Sequence, residues 1–448
     1  MPEFKKTTKS LCPVCMKKID AQYIEKDGKI YLEKTCKEHG SYRVLVWSNA
    51  QQYKEWEDQA VVGKWFREAL PASKGCPFDC GTCSEHTCGM CTAVLEITYQ
   101  CNMNCEICFA DAKKEQYHPS IDKIKEMYET TMKYGGDCSV QLSGGEPTVR
   151  DDLPEIVKMG KDMGFSHIQI NTNGIRIAQS KEYLQKLKDA GADLIYLQFD
   201  GTNDDIYQKI RGRDMWEIKQ KAIQNCEETG IGVMLVPVVV KNVNNNDIGN
   251  IIQFAKDHMP TIKGVHFQPV SYFGRYPDQV PPDEARTNLS DVISELETQT
   301  NGEIQKKHIV PRKPYDAHCS FSGLYYLDYN GKLQAITKSG LPSHATKDTD
   351  FAKETNKFTN EHWRMKPKEE PEQKKPSDAK MGNFLERLAE YTFSLSGMGF
   401  QDIWNFDIKR LKGCCVFVIT ADRRAVPLCA FHVTNVEGKR LYSNSETI

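Results

Sequence analysis

Cys101, Cys105 and Cys108 stand in a C-x3-C-x2-C spacing, Cys101-Asn102-Met103-Asn104-Cys105-Glu106-Ile107-Cys108-Phe109, directly after the apolar run 94–98. Three converging thiolates hold three irons of a [4Fe–4S] cube and leave the fourth iron open to a ligand that is not protein. A zinc knuckle is the plain alternative. A second triplet of the same spacing, Cys76, Cys80 and Cys83, has Cys88 and Cys91 close behind it. Four thiolates there would close an auxiliary [4Fe–4S] cluster, or a zinc site with four cysteine ligands. Cys12-Pro13-Val14-Cys15 and Cys36-Lys37-Glu38-His39 supply four ligands from two knuckles. That set suits tetrahedral zinc or a mononuclear iron in a closed, structural site; the alternative is that His39 only caps a turn. Cys319, Cys414, Cys415 and Cys429 are too dispersed for one local knuckle. They either converge as a further auxiliary cluster or stay as buried free thiols. Cys138 and Cys226 read as packing.

These residues need elements to position them. Short apolar runs at 94–98, 139–143, 167–171, 194–200, 232–240 and 265–270 alternate with helical periods near 121–134, 153–163, 181–190, 216–228 and 248–258. Strands alternating with helices mean parallel βαβ units, so the chain is α/β, with a partial (β/α)6 TIM-type barrel over 93–280. Polar turns follow successive strands: Ser143-Gly144-Gly145-Glu146-Pro147, Asn171-Thr172-Asn173-Gly174 and Gln198-Phe199-Asp200-Gly201. Turn formation alone would explain each, but together they lie on the rim where such barrels place active sites. Before the barrel, 1–74 carries a hairpin signal at Asp27-Gly28 between its knuckles, a rubredoxin- or zinc-ribbon-like module, and 75–92 is a cluster segment. After it, 281–448 forms a C-terminal region with a helix near 288–297. Its lysine-, glutamate- and proline-rich stretch 338–380 reads as a mobile loop or linker.

The totals exclude several classes. A net charge of −2 over 448 residues gives no general attraction to nucleic acid. The longest apolar run, 231–240, is far shorter than the roughly 20 residues that span a bilayer. No secretory signal is visible, so the expected location is cytoplasmic, and 17 cysteines in clusters point to metal rather than disulfides.

The Cys101–Cys108 loop with Gly144-Gly145-Glu146 resembles the radical S-adenosylmethionine (SAM) enzymes. Over nearly the whole chain, the sequence resembles the archaeal tetraether lipid synthase family, also described as radical SAM methyltransferases acting on 6-hydroxymethyl-dihydropterin. The likeness is carried by Cys12-Pro13-Val14-Cys15, Cys36-Lys37-Glu38-His39-Gly40, Cys76-Pro77-Phe78-Asp79-Cys80-Gly81-Thr82-Cys83 and the Cys101 loop. It continues through Phe267-Gln268-Pro269-Val270-Ser271, Gly274-Arg275 and Asn405-Phe406-Asp407. The resemblance implies SAM bound through its amine and carboxylate to the open iron, with Gly144, Gly145 and Glu146 on the methionyl amine. It also implies that Asn171, Asn173, Gln198, Asp200 and Gln268 contact the cofactor. Aligned from Thr98, Cys91 becomes the fourth auxiliary ligand and Cys88 an extra. The sequence departs from the pattern around 332–341 and after Cys414, where Val416-Phe417 replaces a histidine-containing segment.

The activity implied first is carbon–carbon bond formation at unactivated sp3 carbons, joining phytanyl chain ends. The alternative is C-methylation of a pterin precursor. A non-catalytic iron–sulfur electron carrier is a third reading, although a carrier needs no Gly144-Gly145-Glu146 loop. Partners follow: a lipid or pterin substrate, an electron donor such as a ferredoxin and, for the lipid, a peripheral membrane contact. Cavity shape separates the substrates, since a lipid requires a long apolar tunnel and a pterin a short slot with matching polar groups.

Overall fold

The computed structural model describes residues 4–57, 71–81, 83–113, 117–276, 283, 286–312, 316–337, 351–365, 387–388 and 390–442. The chain begins with an antiparallel meander of β1 (Lys5–Leu11), β2 (Lys18–Lys26), β3 (Lys29–Cys36) and β4 (Gly40–Trp47), paired in that order. Asp27 and Gly28 both take positive φ and close the β2–β3 hairpin, as an Asp-Gly pair favours. Ile30, Leu32, Val44 and Trp47 are buried against α1 (Ala50–Glu57) and the barrel.

The six expected parallel strands are present: β5 (Thr92–Thr98), β6 (Ser139–Gly144), β7 (Ile168–Thr172), β8 (Leu194–Gln198), β9 (Gly232–Val236) and, after the two-residue β10 (Val238–Val239), β11 (Ile262–Pro269). Between them run α2 (Ile121–Gly135), α3 (Leu153–Asp162), α4 (Ile175–Gln179), α5 (Lys181–Asp189), α6 (Asp204–Arg211), α7 (Trp216–Thr229) and α8 (Ile248–Asp257). The helices bury stripes such as Ile124, Met127, Tyr128 and Ile156 on the sheet, while fully buried strand residues such as Val140, Leu142, Ile168 and Ile170 meet them. That arrangement is what a parallel sheet covered by crossover helices requires.

The C-terminal region extends the same sheet. After α9 (Leu289–Gln299), β12 (Val310–Pro311), β13 (Ser320–Leu327) and β14 (Leu333–Ala335), β15 (Thr392–Met398) pairs parallel to β11. β16 (Val416–Ile419) pairs parallel to β5, and β17 (Ala425–Pro427) returns antiparallel beside it. Eight parallel strands therefore run β15-β11-β9-β8-β7-β6-β5-β16. Six were legible because each lies in a regular βαβ unit, whereas β16 follows only the five-residue helix Ile408–Lys412 and β15 follows the charged stretch read as a linker.

One expectation is corrected here. Of the stretch 338–380 read as a linker, 338–350 and 366–380 lie outside the described residues, but Phe351–His362 is a helix, α10. Asn356, Thr359 and Trp363 are buried. Asn356 donates to Asp137 and Ser166, and Trp363 Nε1 donates to Ser394 Oγ at 2.9 Å. Asp137 and Ser166 directly precede β6 and β7, so α10 crosses the N-terminal end of the barrel.

Candidate active site

The loop after β5 carries Cys101, Cys105 and Cys108, each half-buried. Its path is set by the turn after β6. Gly145 N donates to Thr98 O and Glu146 N to Gln100 O, both at 2.8 Å. A Cβ on Gly144 would overlap the Thr98 carbonyl, and one on Gly145 the Gln100 carbonyl. The two glycines are needed for this close approach, which holds the backbone immediately ahead of Cys101. From the far side, Arg275 exchanges backbone hydrogen bonds with Cys108, and its Nε donates to Cys105 O at 2.8 Å.

Glu146 is fully buried. Its carboxylate accepts from Thr148 Oγ1 and Thr172 Oγ1, both at 2.6 Å, and from the amides of Thr148 and Asn173. Burial raises its pKa, and these four donors oppose that rise. Asn173 Nδ2 in turn donates to Asn102 Oδ1 at 2.7 Å, tying the end of β7 to the cysteine loop. At the end of β8, Gln198 donates to Asp200, which is wholly buried and pairs with Arg211 at 2.7 and 2.8 Å. Arg211 also lies near the Cys105 sulfur, which together with Asp200 favours its charged form. Lys219, fully buried, donates to Asn173 O at 2.6 Å and to Gln198 Oε1 at 3.1 Å. Burial lowers its pKa to about 7. Sequence reasoning singled out neither Arg211 nor Lys219, because helical register alone does not show which helix face reaches a strand end.

These residues enclose one cavity of about 270 Å³ that follows the barrel lumen from the cysteine loop to α10. Of the residues assigned to the cofactor, Gly144, Gly145, Glu146, Asn171, Asn173, Gln198 and Gln268 line it, together with all three cysteines, while Asp200 lies behind the wall. Burial pushes the Cys101 thiol up to about 12 and that of Cys108 upward, with the neighbouring sulfurs adding to both. Thiols so destabilised as free anions are suited to a cationic iron centre that takes them as thiolates. Nearby, Glu96 Oε1 lies 3.2 Å from His432 Nε2, both buried beneath Phe109.

The remaining cysteines fall into separate groups. Cys12, Cys15, Cys36 and His39 converge, all ligand atoms lying within 4.8 Å of one another. Backbone amides and His39 lower the Cys36 pKa to about 6. Cys76 and Cys80 lie beside one another with Cys83 near them, whereas Cys88 and Cys91 neighbour Cys415, which places Cys415 apart from Cys319, Cys414 and Cys429. Cys319, Cys414 and Cys429 lie close enough to influence one another, around Arg410. Among the described residues, no helix is long and apolar enough to cross a membrane.

The family model of the radical SAM superfamily matches residues 95–255, and that of an HMPTM N-terminal zinc ribbon domain matches residues 4–48. The 7,8-dihydro-6-hydroxymethylpterin dimethyltransferase of Methanocaldococcus jannaschii is 37% identical over 97% of this chain and 95% of its own. The chain belongs to that radical SAM family. It is an enzyme, and membership implies SAM and a [4Fe–4S] cluster, for which Cys101, Cys105 and Cys108 at the cavity mouth are a fitting donor set. A probable GTP 3′,8-cyclase of Methanococcus maripaludis is 28% identical over 48% of this chain and 72% of its own. Among solved structures, Streptococcus suis SuiB is 16% identical with a TM-score of 0.40, over 48% of this chain and 46% of its own.

Proposed function

We propose that this chain is a radical SAM C-methyltransferase acting on a 7,8-dihydropterin. The relative that matches it end to end carries that substrate in its name, and this reverses the order given above, in which lipid joining came first. The lumen supports the pterin. Gln141, Gln169, Asn171, Gln198 and Gln268 supply amides to the cavity, while Val416, Leu428, Met398 and Phe400 are apolar. Apolar faces with a few placed amides suit a flat heterocycle, and about 270 Å³ lies close to the small-molecule range.

When bound, SAM and its cluster supply the 5′-deoxyadenosyl radical chemistry. The chain's residues do the rest. Cys101, Cys105 and Cys108 hold the cluster, and Gly144, Gly145 and Glu146 fix the loop that presents it. Asn171, Asn173, Gln198 and Gln268 border the cofactor, with Asp200 acting through Arg211. The apolar side chains of Val416, Leu428, Met398 and Phe400 limit water around a reactive intermediate. Cys12, Cys15, Cys36 and His39 bind one zinc or iron that folds the ribbon. Cys76, Cys80, Cys83 and Cys91 bind an auxiliary cluster, and Cys319, Cys414 and Cys429 another. A low-potential carrier such as a ferredoxin donates electrons.

The test is substrate-stimulated SAM cleavage. With anaerobically reconstituted protein, 6-hydroxymethyl-7,8-dihydropterin should accelerate 5′-deoxyadenosine formation, and a phytanyl lipid should not. Stimulation by the lipid alone would refute the proposal.

A further inference from the structure

Below the cofactor rim, Gln141, Gln169 and Asn171 form a hydrogen-bonded amide row on the lumen wall. Gln169 on β7 is fully buried and lines the cavity. Its Nε2 donates to Asn171 Oδ1, and Asn171 Nδ2 donates to Gln141 Oε1, each at 3.1 Å. Gln141 is also the register partner of Gln169 across the β6–β7 ladder. In this orientation of the row Gln169 Oε1 has no hydrogen-bond partner, although it is buried. A buried carbonyl left unpaired is costly, and such a group calls for a specific explanation. In this orientation Asn171 takes the NH2 side of the Gln169 amide and leaves the Oε1 lone pairs free to accept.

We propose that Gln169 is a specificity-determining residue, its Oε1 accepting the N3–H of the 2-amino-4-oxopyrimidine edge of a pterin seated in the lumen. This rests on the pterin reading above and assigns the residue that recognises the ring. Position supports it. Gln169 lies two residues below Asn171 on one strand face, about 7 Å deeper at the usual strand rise. A ring anchored there by its pyrimidine edge directs its far, hydrogen-bearing carbons upward toward the cysteine loop. Tyr196, His266 and Trp363 line the same cavity. His266 Nδ1 is engaged with Ser396 Oγ at 2.8 Å, and burial lowers its pKa to about 3, so it presents a neutral ring. A phytanyl chain has no N–H to offer and would leave Gln169 Oε1 unpaired, and sites built around a hydrogen bond discriminate strongly in that way.

The experiment is a protein–ligand double substitution on anaerobic holoenzyme, with affinity read by equilibrium dialysis. The ligands are 6-hydroxymethyl-7,8-dihydropterin and its N3-methyl analogue. Wild type should bind the analogue about 10- to 100-fold more weakly. Gln169→Met should bind the parent weakly by a similar factor and lose most of the discrimination, whereas Gln169→Glu, which keeps an acceptor, should restore part of it. Iron content and the circular dichroism spectrum of both variants should match those of wild type. Undiminished discrimination by Gln169→Met overturns the assignment. Equal affinity of wild type for the two ligands overturns it whether or not a variant folds. Wild type that binds neither ligand overturns the pterin reading itself, and this inference with it.

Discussion

At the scale of residues, the site depends on backbone proximity as much as on ligands. Gly145 lies so close to Gln100 that any side chain must displace the strand end that leads into Cys101. Gly145→Ala should therefore lower 5′-deoxyadenosine formation by about 100-fold, as misplacement near a reacting centre does, while circular dichroism shows an intact fold. Activity within twofold of wild type would mean that the loop adapts. Replacing Cys101, Cys105 and Cys108 together by Ala should abolish SAM cleavage and leave iron at the other sites, a comparison that anaerobic iron counting with the same assay can make. The cysteine triplet and the Gly-Gly-Glu turn were legible because their chemistry is local in sequence. Arg211 was not, since it reaches Cys105 only after α6 folds back and Asp200 fixes its guanidinium. The neighbours of Cys415 were hidden for a related reason: Cys88 and Cys91 reach it through the parallel pairing of β16 with β5.

Among the elements, the N-terminal ribbon and α10 illustrate opposite degrees of legibility. The ribbon announces itself through two knuckles and an Asp-Gly hairpin. Because metal binding and folding are coupled in such modules, Cys36→Ser should loosen residues 4–48 toward proteolysis and spare SAM cleavage. Equal loss of both would give the module a part in the reaction. Charged composition concealed α10, but Trp363 anchors it at the base of the lumen beside Tyr196 and Met234. Trp363→Ala should cost on the order of 3 kcal/mol, read as a lower thermal midpoint. An unchanged midpoint would show that the helix contributes little.

For the whole molecule, burial sets an acid limit. His167 and His266 are both fully buried, and their pKa values fall from 6.5 to about 4 and about 3. Between pH 6.5 and 4 the unfolded chain binds protons that the folded chain refuses, so stability rises with pH there and is lost on acidification. The His167 share is about 3 kcal/mol. His167→Phe should flatten that limb of a stability–pH profile, and an unaltered slope would place the acid sensitivity elsewhere. The barrel that buries these histidines also joins the cysteine loop to the amide-bearing lumen, where we propose that a pterin is modified. The direct measurement is mass spectrometry of an anaerobic reaction containing reconstituted protein, SAM, a strong reductant, a low-molecular-mass cell filtrate as methyl source, 6-hydroxymethyl-7,8-dihydropterin and a phytanyl lipid. Pterin products heavier by one or two methyl groups and an unchanged lipid are expected; coupled lipid chains beside unmodified pterin would overturn the pterin reading.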